Sequence, residues 1–341
     1  MRYPDERAFD AALKQRLAVE AKRTGAAVTT LRRQFAMECY LGRLFADPDS
    51  SWVLKGGTGL LLRVAGARFS RDLDLADTNQ GHEHAESIRQ LIAAGGRSQR
   101  DPFVFEVQEK AQLTGAAQGA QLTVVASLAG RPFDTFPIDM ATHLDVVGRV
   151  EVLRPEPVVH IDDVTALPTM RLYPLEDQIA DKFAAMYEHH LSGPSSRYRD
   201  LADLALISLD PNLSIDMGTV AEAIATQERV RGITVPYPVT PPGPAWATQW
   251  PKAARQARLP ERLHDLDRAL DAVGEFYRTA LDSPAQPGSG PPTAVSVEGL
   301  QRVKEALAQL RRNRDPKPSH HSYRHDDRGR GLPPPEGPRL H

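Results

Sequence analysis

The stretch Arg68-Phe-Ser-Arg-Asp-Leu-Asp-Leu75 decides how the rest of the chain is read. From Asp72 to Leu75 polar and apolar residues alternate, the period of a strand with one buried face. The spacing predicts a strand over 72–76 with both carboxylates on the same side, roughly 7 Å apart. Two like charges held so close repel unless a cation lies between them, and hard oxygen donors suit Mg²⁺. Asp-x-Asp also occurs on solvated strand edges, so its meaning depends on its neighbours.

Upstream, Ser51-Trp-Val-Leu54 reads as a short buried strand that Lys55-Gly-Gly-Thr58 breaks. Leu60, Leu61, Leu62 and Val64 then suggest a short packed helix. Glycines at a strand-to-helix turn let backbone N–H groups approach phosphate oxygens, and Lys55 adds a positive charge. Downstream, a helix over 82–94 precedes strand-like runs at 103–107, 121–127 and 133–140. The last carries Asp139 between Ile138 and Met140. A carboxylate in an apolar strand is costly unless something pairs with it, so Asp139 is a candidate third acid. Three such acids can hold two ions, one activating an attacking hydroxyl, the other gripping a triphosphate and its leaving pyrophosphate.

Helices are predicted over 5–23 and 29–46, from Pro174 along the stripe Leu175, Ile179, Phe183 and Tyr187, and over 197–207 and 262–281. Residues 233–251, rich in Pro and Trp, read as an irregular linker or ordered loop. Lys182 lies in the helix after Pro174, and Asp200 and Asp203 share one face of the next. Lys182 can pair with either acid and still reach a triphosphate; a plain interhelical salt bridge would use the same residues. The pattern divides the chain into a core with N-terminal helices (1–170), a helical lobe (171–282) and a tail (283–341). The tail's Pro, Gly, Ser, Arg and His predict disorder, with one short helix at 297–312.

The net charge of −2 conceals basic ends and an acidic middle, an arrangement that suits cations at the centre and phosphates at the flanks. No apolar run is long enough to span a bilayer and no secretory signal is visible, so a cytoplasmic protein is expected. The single cysteine, Cys39, excludes an internal disulfide framework and a multi-cysteine metal cluster. Neither His189-His190 nor His320-His321 has the spacing of a helical zinc pair. Phosphate-loop and protein-kinase motifs are missing, which argues against a kinase.

Together these segments resemble the AbiEii/AbiGii toxin family of nucleotidyltransferases, which includes the MenT toxins. The resemblance rests on Leu54-Lys-Gly-Gly-Thr-Gly-Leu60, Arg68–Leu75, Ile138-Asp139, Lys182-Phe-Ala-Ala, Arg199-Asp-Leu-Ala-Asp-Leu204 and the Trp246…Trp250 segment, over roughly residues 28–282. It implies an α+β fold: a polymerase β-like nucleotidyltransferase core, with a mixed sheet flanked by helices, and a helical C-terminal lobe. It further implies that Asp72, Asp74 and Asp139 bind two Mg²⁺ ions. Lys55, Gly56, Gly57, Thr58, Ser70, Lys182, Asp200 and Asp203 would then surround an NTP, with Lys182 also catalytic. Members act as toxins of bacterial toxin–antitoxin systems. The implied activity is NMP transfer to the 3′ end of tRNA with release of pyrophosphate, the implied partner a cognate antitoxin, with no DNA or membrane partner. Transfer to a protein or small molecule, or a catalytically idle NTP-binding partner module, are the competing readings; the intact acid trio argues against the idle one. The superfamily's Gly-Ser turn is Gly56-Gly57 here, which removes one hydroxyl ligand.

Overall fold

In a computed structural model the described residues are 2–64, 66–79, 81–113, 118–142, 146–189 and 193–283. The predicted tail disorder, the helix at 297–312, His190 and His320-His321 lie outside them. Alternating apolar side chains build one mixed sheet. Its strands are β1 (Trp52–Leu54), β2 (Leu73–Asp77), β3 (Gly96–Arg97), β4 (Val104–Leu113), β5 (Gln118–Leu128), β6 (Arg131–Thr142), β7 (Glu151–Leu153) and β8 (Met170–Leu172). Their order is β3-β4-β5-β6-β2-β1-β8-β7. β5 runs antiparallel to both β4 and β6, whereas β2 pairs with β6 in parallel. Leu122, Val124 and Ala126 on β5, with Phe136, Ile138 and Met140 on β6, are buried at every second position, as a sheet packed on a core requires.

Helices α1 (Glu6–Thr24), α2 (Val28–Leu44) and α4 (His84–Ala93) contribute to that core. Tyr40 of α2 meets Phe105 and Phe136 edge to face, and its hydroxyl donates to the Leu91 carbonyl at 2.6 Å. Arg43 is a buried clamp. Its Nε and Nη2 donate to the two Asp101 oxygens at 2.9 and 2.6 Å, while its guanidinium stacks 4.5 Å from the centre of Phe105.

A second apolar cluster joins α3 (Gly56–Leu61), α5 (Leu175–Tyr187), α6 (Tyr198–Leu209), α7 (Met217–Arg231), α8 (Trp246–Gln256) and α9 (Leu266–Leu281). The mixed sheet flanked by helices is the architecture expected. Three local readings change. β2 begins at Leu73, so Asp72 precedes the strand instead of opening it. α7 was not predicted: it buries only Val220, Ala223 and Ile224 among its larger apolar residues, but Asp216 caps its start and left-handed Gly232 ends it. The stretch 233–251, predicted irregular, contains the start of α8. Trp246 and Trp250, one turn apart, are buried with their indole N–H groups on the Ser195 and Leu263 carbonyls at 2.8 and 3.0 Å. Burying both indoles outweighs the hydrogen bond Pro251 cannot donate inside the helix. Among the described residues no helix is long and apolar enough to cross a membrane.

Replacing Arg43 by Met should cost about 3–5 kcal/mol in urea unfolding, because it strands the Asp101 carboxylate in the core. The double substitution Arg43→Met with Asp101→Leu should recover most of that loss.

Candidate active site

Register brings the acids together. Parallel pairing of β2 and β6 sets Asp74 opposite Asp139, so the two side chains leave the same face of the sheet. Gln121 faces Asp139 across the β5–β6 pairing, and its Nε2 donates to Asp139 Oδ1 at 3.0 Å. Asp72 accepts a hydrogen bond from the Ser70 hydroxyl. All three acids line one cleft of about 770 Å³.

The turn before them is built around Asp74. The Lys55 N–H donates to the Asp74 carbonyl at 2.8 Å, and Gln178 Nε2 donates to the Gly56 carbonyl at 2.6 Å. Gly56 has a φ of 58°, and a Cβ there would lie 1.7 Å from Asp74 Oδ2. Only glycine therefore lets the carboxylate occupy that space. A Cβ on Gly57 would likewise crowd Ser70 Oγ, at 2.8 Å. Thr58 is buried and its hydroxyl donates to the Asp72 carbonyl at 3.2 Å. It secures the loop, and it is not among the residues lining the cleft.

Lys55 and Lys182, one from the turn and one from α5, border the cleft. Lys55 Nζ lies 3.2 Å from Asp181 and 4.0 Å from the centre of the Tyr173 ring. Lys182 Nζ sits between Asp200 Oδ1 at 3.2 Å and Asp203 Oδ2 at 2.6 Å. Burial works against its charge, but Asp203 and Asp200 outweigh burial and hold the ammonium above its ordinary pKa. The structure distinguishes the two acids of α6: Asp200 lines the cleft, whereas Asp203 is buried behind it, with Arg68 Nη2 at 3.6 Å. Cleft residues that the sequence left unmarked are Gln178, Asp181, Arg231 and, on α8, Gln249, Lys252 and Gln256. Arg231 comes from the end of α7 and contacts Asp181 at 2.9 Å. Nothing in the local sequence separates these residues from ordinary surface polar groups.

Burial, then the charges of Asp72 and Asp139, push the Asp74 carboxyl up to about 6, against the pull of Lys55 and Lys182. Negative charge is thus in excess at this point. An all-carboxylate donor set with excess negative charge fits a hard divalent ion such as Mg²⁺. Among the described residues no three His, Cys, Asp or Glu side chains converge as a ready-made cage. Ser70 and Gln121 each engage one acid, and the like charges repel.

Because the folded chain holds the Asp74 proton more tightly than the unfolded chain, Asp74 contributes stability at low pH that is lost as pH rises from about 4 through about 6. Asp74→Asn should therefore be more stable than the parent at pH 8, by on the order of 2 kcal/mol in denaturant titration. The difference should shrink as pH falls towards 4. An equal or lower stability of the variant at pH 8 would contradict the crowding.

A family model described as the nucleotidyl transferase AbiEii toxin of type IV toxin–antitoxin systems matches residues 40–272. No curated protein sequence matches the chain. Among solved structures, MenT4, a nucleotidyltransferase toxin from Mycobacterium tuberculosis, aligns with a TM-score of 0.53 at 17% identity, over 86% of this chain and 98% of that one. JHP933 from Helicobacter pylori aligns with a TM-score of 0.38 at 14% identity, over 84% and 98% of the two chains. The MenT4 likeness is one of fold. The family match spans every cleft residue from Lys55 to Gln256, and the chain belongs to the AbiEii family of nucleotidyl transferase toxins of type IV toxin–antitoxin systems.

Proposed function

We propose that this cleft transfers NMP from an NTP to the 3′-terminal hydroxyl of an RNA, tRNA in the first instance, with release of pyrophosphate, and that a cognate antitoxin restrains it. The observation that carries this reading is the in-register pair Asp74 and Asp139, in one cleft with Asp72 and Lys182. Carboxylates and cations gathered in one cleft suit a reaction in which a triphosphate is gripped and a diphosphate leaves.

The acceptor oxygen forms a bond to the α-phosphorus as the bond from that phosphorus to the α,β-bridging oxygen breaks. The electron pair departs with pyrophosphate. Asp139, held by Gln121, accepts the hydroxyl proton. Lys182, fixed by Asp200 and Asp203, offsets charge on the leaving phosphates. The backbone of the Gly56-Gly57 turn, which lines the cleft, would meet the phosphates, and Ser70 orients Asp72. Asp72, Asp74 and Asp139 would hold Mg²⁺, two ions in this reading, which when bound supplies Lewis-acid stabilisation of the triphosphate and a more acidic acceptor hydroxyl. Residues 1–170 would then bring the acids as one unit and 171–282 bring Lys182 as another. Both substrates are cytoplasmic and so, in this reading, is the enzyme.

The test is to incubate the full chain with Mg²⁺, total tRNA and each labelled NTP in turn, beside Asp72→Ala. RNA should be labelled with at least one NTP, and the variant should be slower by about 10²-fold or more. Chelation with EDTA should abolish labelling. No label with any NTP would overturn the reading; label undiminished in Asp72→Ala would overturn the role of the acids.

A further inference from the structure

A second groove of about 680 Å³ opens from the cleft, and the two share Arg68, Ser70, Arg71, Arg199 and Gln256 as common lining. It continues to the first two turns of α2, where Thr29, Thr30, Arg32 and Arg33 line it. Five arginines therefore face one channel, and among the described residues the only acid lining it is Asp134. That acid is internal. Its side chain is 5% exposed and takes Arg32 Nε at 3.3 Å and Arg33 Nε at 3.0 Å, while the two arginine side chains stay 39% and 34% exposed. Asp134 thus orients two guanidinium groups whose outer edges remain open to solvent. Arg71 and Arg199 are exposed, and the Nε of Arg68 is buried with no hydrogen-bond partner among the described residues. The first turn of α2 carries no acid and no side-chain cap, so its positive end is not offset.

A channel lined by arginines suits a string of phosphates, which guanidinium groups bind in pairs of hydrogen bonds. Where the channel ends is equally informative. Ser70 belongs to both cavities and its hydroxyl touches Asp72. A strand lying along the arginines would deliver its terminus to the acids. An acidic protein surface would also satisfy the arginines, but it would gain nothing from a channel that runs into the carboxylates.

We infer that this groove is the acceptor track: it binds the phosphodiester backbone of a single-stranded RNA end through Arg32, Arg33, Arg71 and Arg199 and leads the terminal hydroxyl to Asp72 and Asp139. The inference rests on the proposed transfer reaction only for what happens at the terminus; the binding itself does not. Arginine–phosphate pairing reads the backbone and not the base, so affinity depends steeply on salt and weakly on sequence.

The experiment measures fluorescence anisotropy of a short single-stranded RNA ending in a 3′-deoxy residue, with full-length protein, without NTP, over a range of KCl. The double variant Arg32→Ala with Arg33→Ala should weaken binding about tenfold or more. It should also flatten the plot of log Kd against log salt by about 0.7 for each phosphate that is no longer neutralised. Thr29→Glu keeps the test decisive if the arginine variants misfold, because it leaves every arginine ion pair in place and an acid in a first helical turn favours the helix. It should weaken RNA binding to a similar extent, while titration with a non-hydrolysable NTP analogue gives an unchanged Kd. Unchanged RNA affinity in Thr29→Glu and in the folded arginine variants would overturn the track. So would polyglutamate that binds as tightly as the RNA and is released by the same substitutions, which would make the groove a protein-docking face. Groove-dependent RNA binding without transfer under any condition would leave the track standing and remove the proposed reaction; transfer to RNA that ignores these substitutions would do the reverse.

Discussion

Two parallel strands set Asp74 against Asp139, and much of the surrounding structure answers the cost of keeping those carboxylates side by side. Gln121 gives Asp139 a hydrogen bond, and Ser70 gives one to the neighbouring Asp72. Lys55 and Lys182 offset part of the negative charge, but each is already engaged, Lys55 with Asp181 and Lys182 with Asp200 and Asp203. Compensation is therefore incomplete. The carboxyl of Asp74 is pushed up, not down, because burial and its acidic neighbours outweigh the two ammonium groups. A site left short of positive charge costs stability in the free chain and rewards a cation that arrives with substrate.

The two apolar clusters fix where this happens. β1 and β2 pack in the cluster around the sheet, whereas Leu60 and Val64, in and just after the short helix between those strands, belong to the cluster formed by the C-terminal helices. The Gly56-Gly57 turn is thus held from both sides. On the far wall, α8 is pinned by its two indoles, which leaves Gln249, Lys252 and Gln256 on the cleft side. Gln256 and Arg199 stand where cleft and groove meet, so α6 and α8 border both cavities.

The elements around the acids were legible because their chemistry is local. Alternation through Leu73 and Leu75 gave the strand, the glycine pair gave the turn, and Asp139 stood out as an acid between apolar neighbours. The pairing of Lys182 with α6 followed from the spacing of Asp200 and Asp203, though not that both would hold it. Thr58, placed around the nucleotide by the family resemblance, turns its hydroxyl to the Asp72 carbonyl, a contact that the sequence pattern does not show. Part of the cleft's wall was not legible. Arg231, Asp181 and the polar side of α8 reach the cleft only through tertiary packing, and the helices carrying Arg231 and Gln249 were themselves missed. α7 has a short apolar face, and Pro251 disguised α8.

Gly56 carries a consequence for the gene as well as for the enzyme. Every missense change of a glycine codon installs a Cβ, and at this position any Cβ falls on the Asp74 carboxylate. Even alanine, one base away, sets its Cβ on that carboxylate, so every single-base missense change here forces the Asp74 side chain or the turn to move. One codon of a toxin-family gene thereby governs how the turn packs against the strand that carries Asp74.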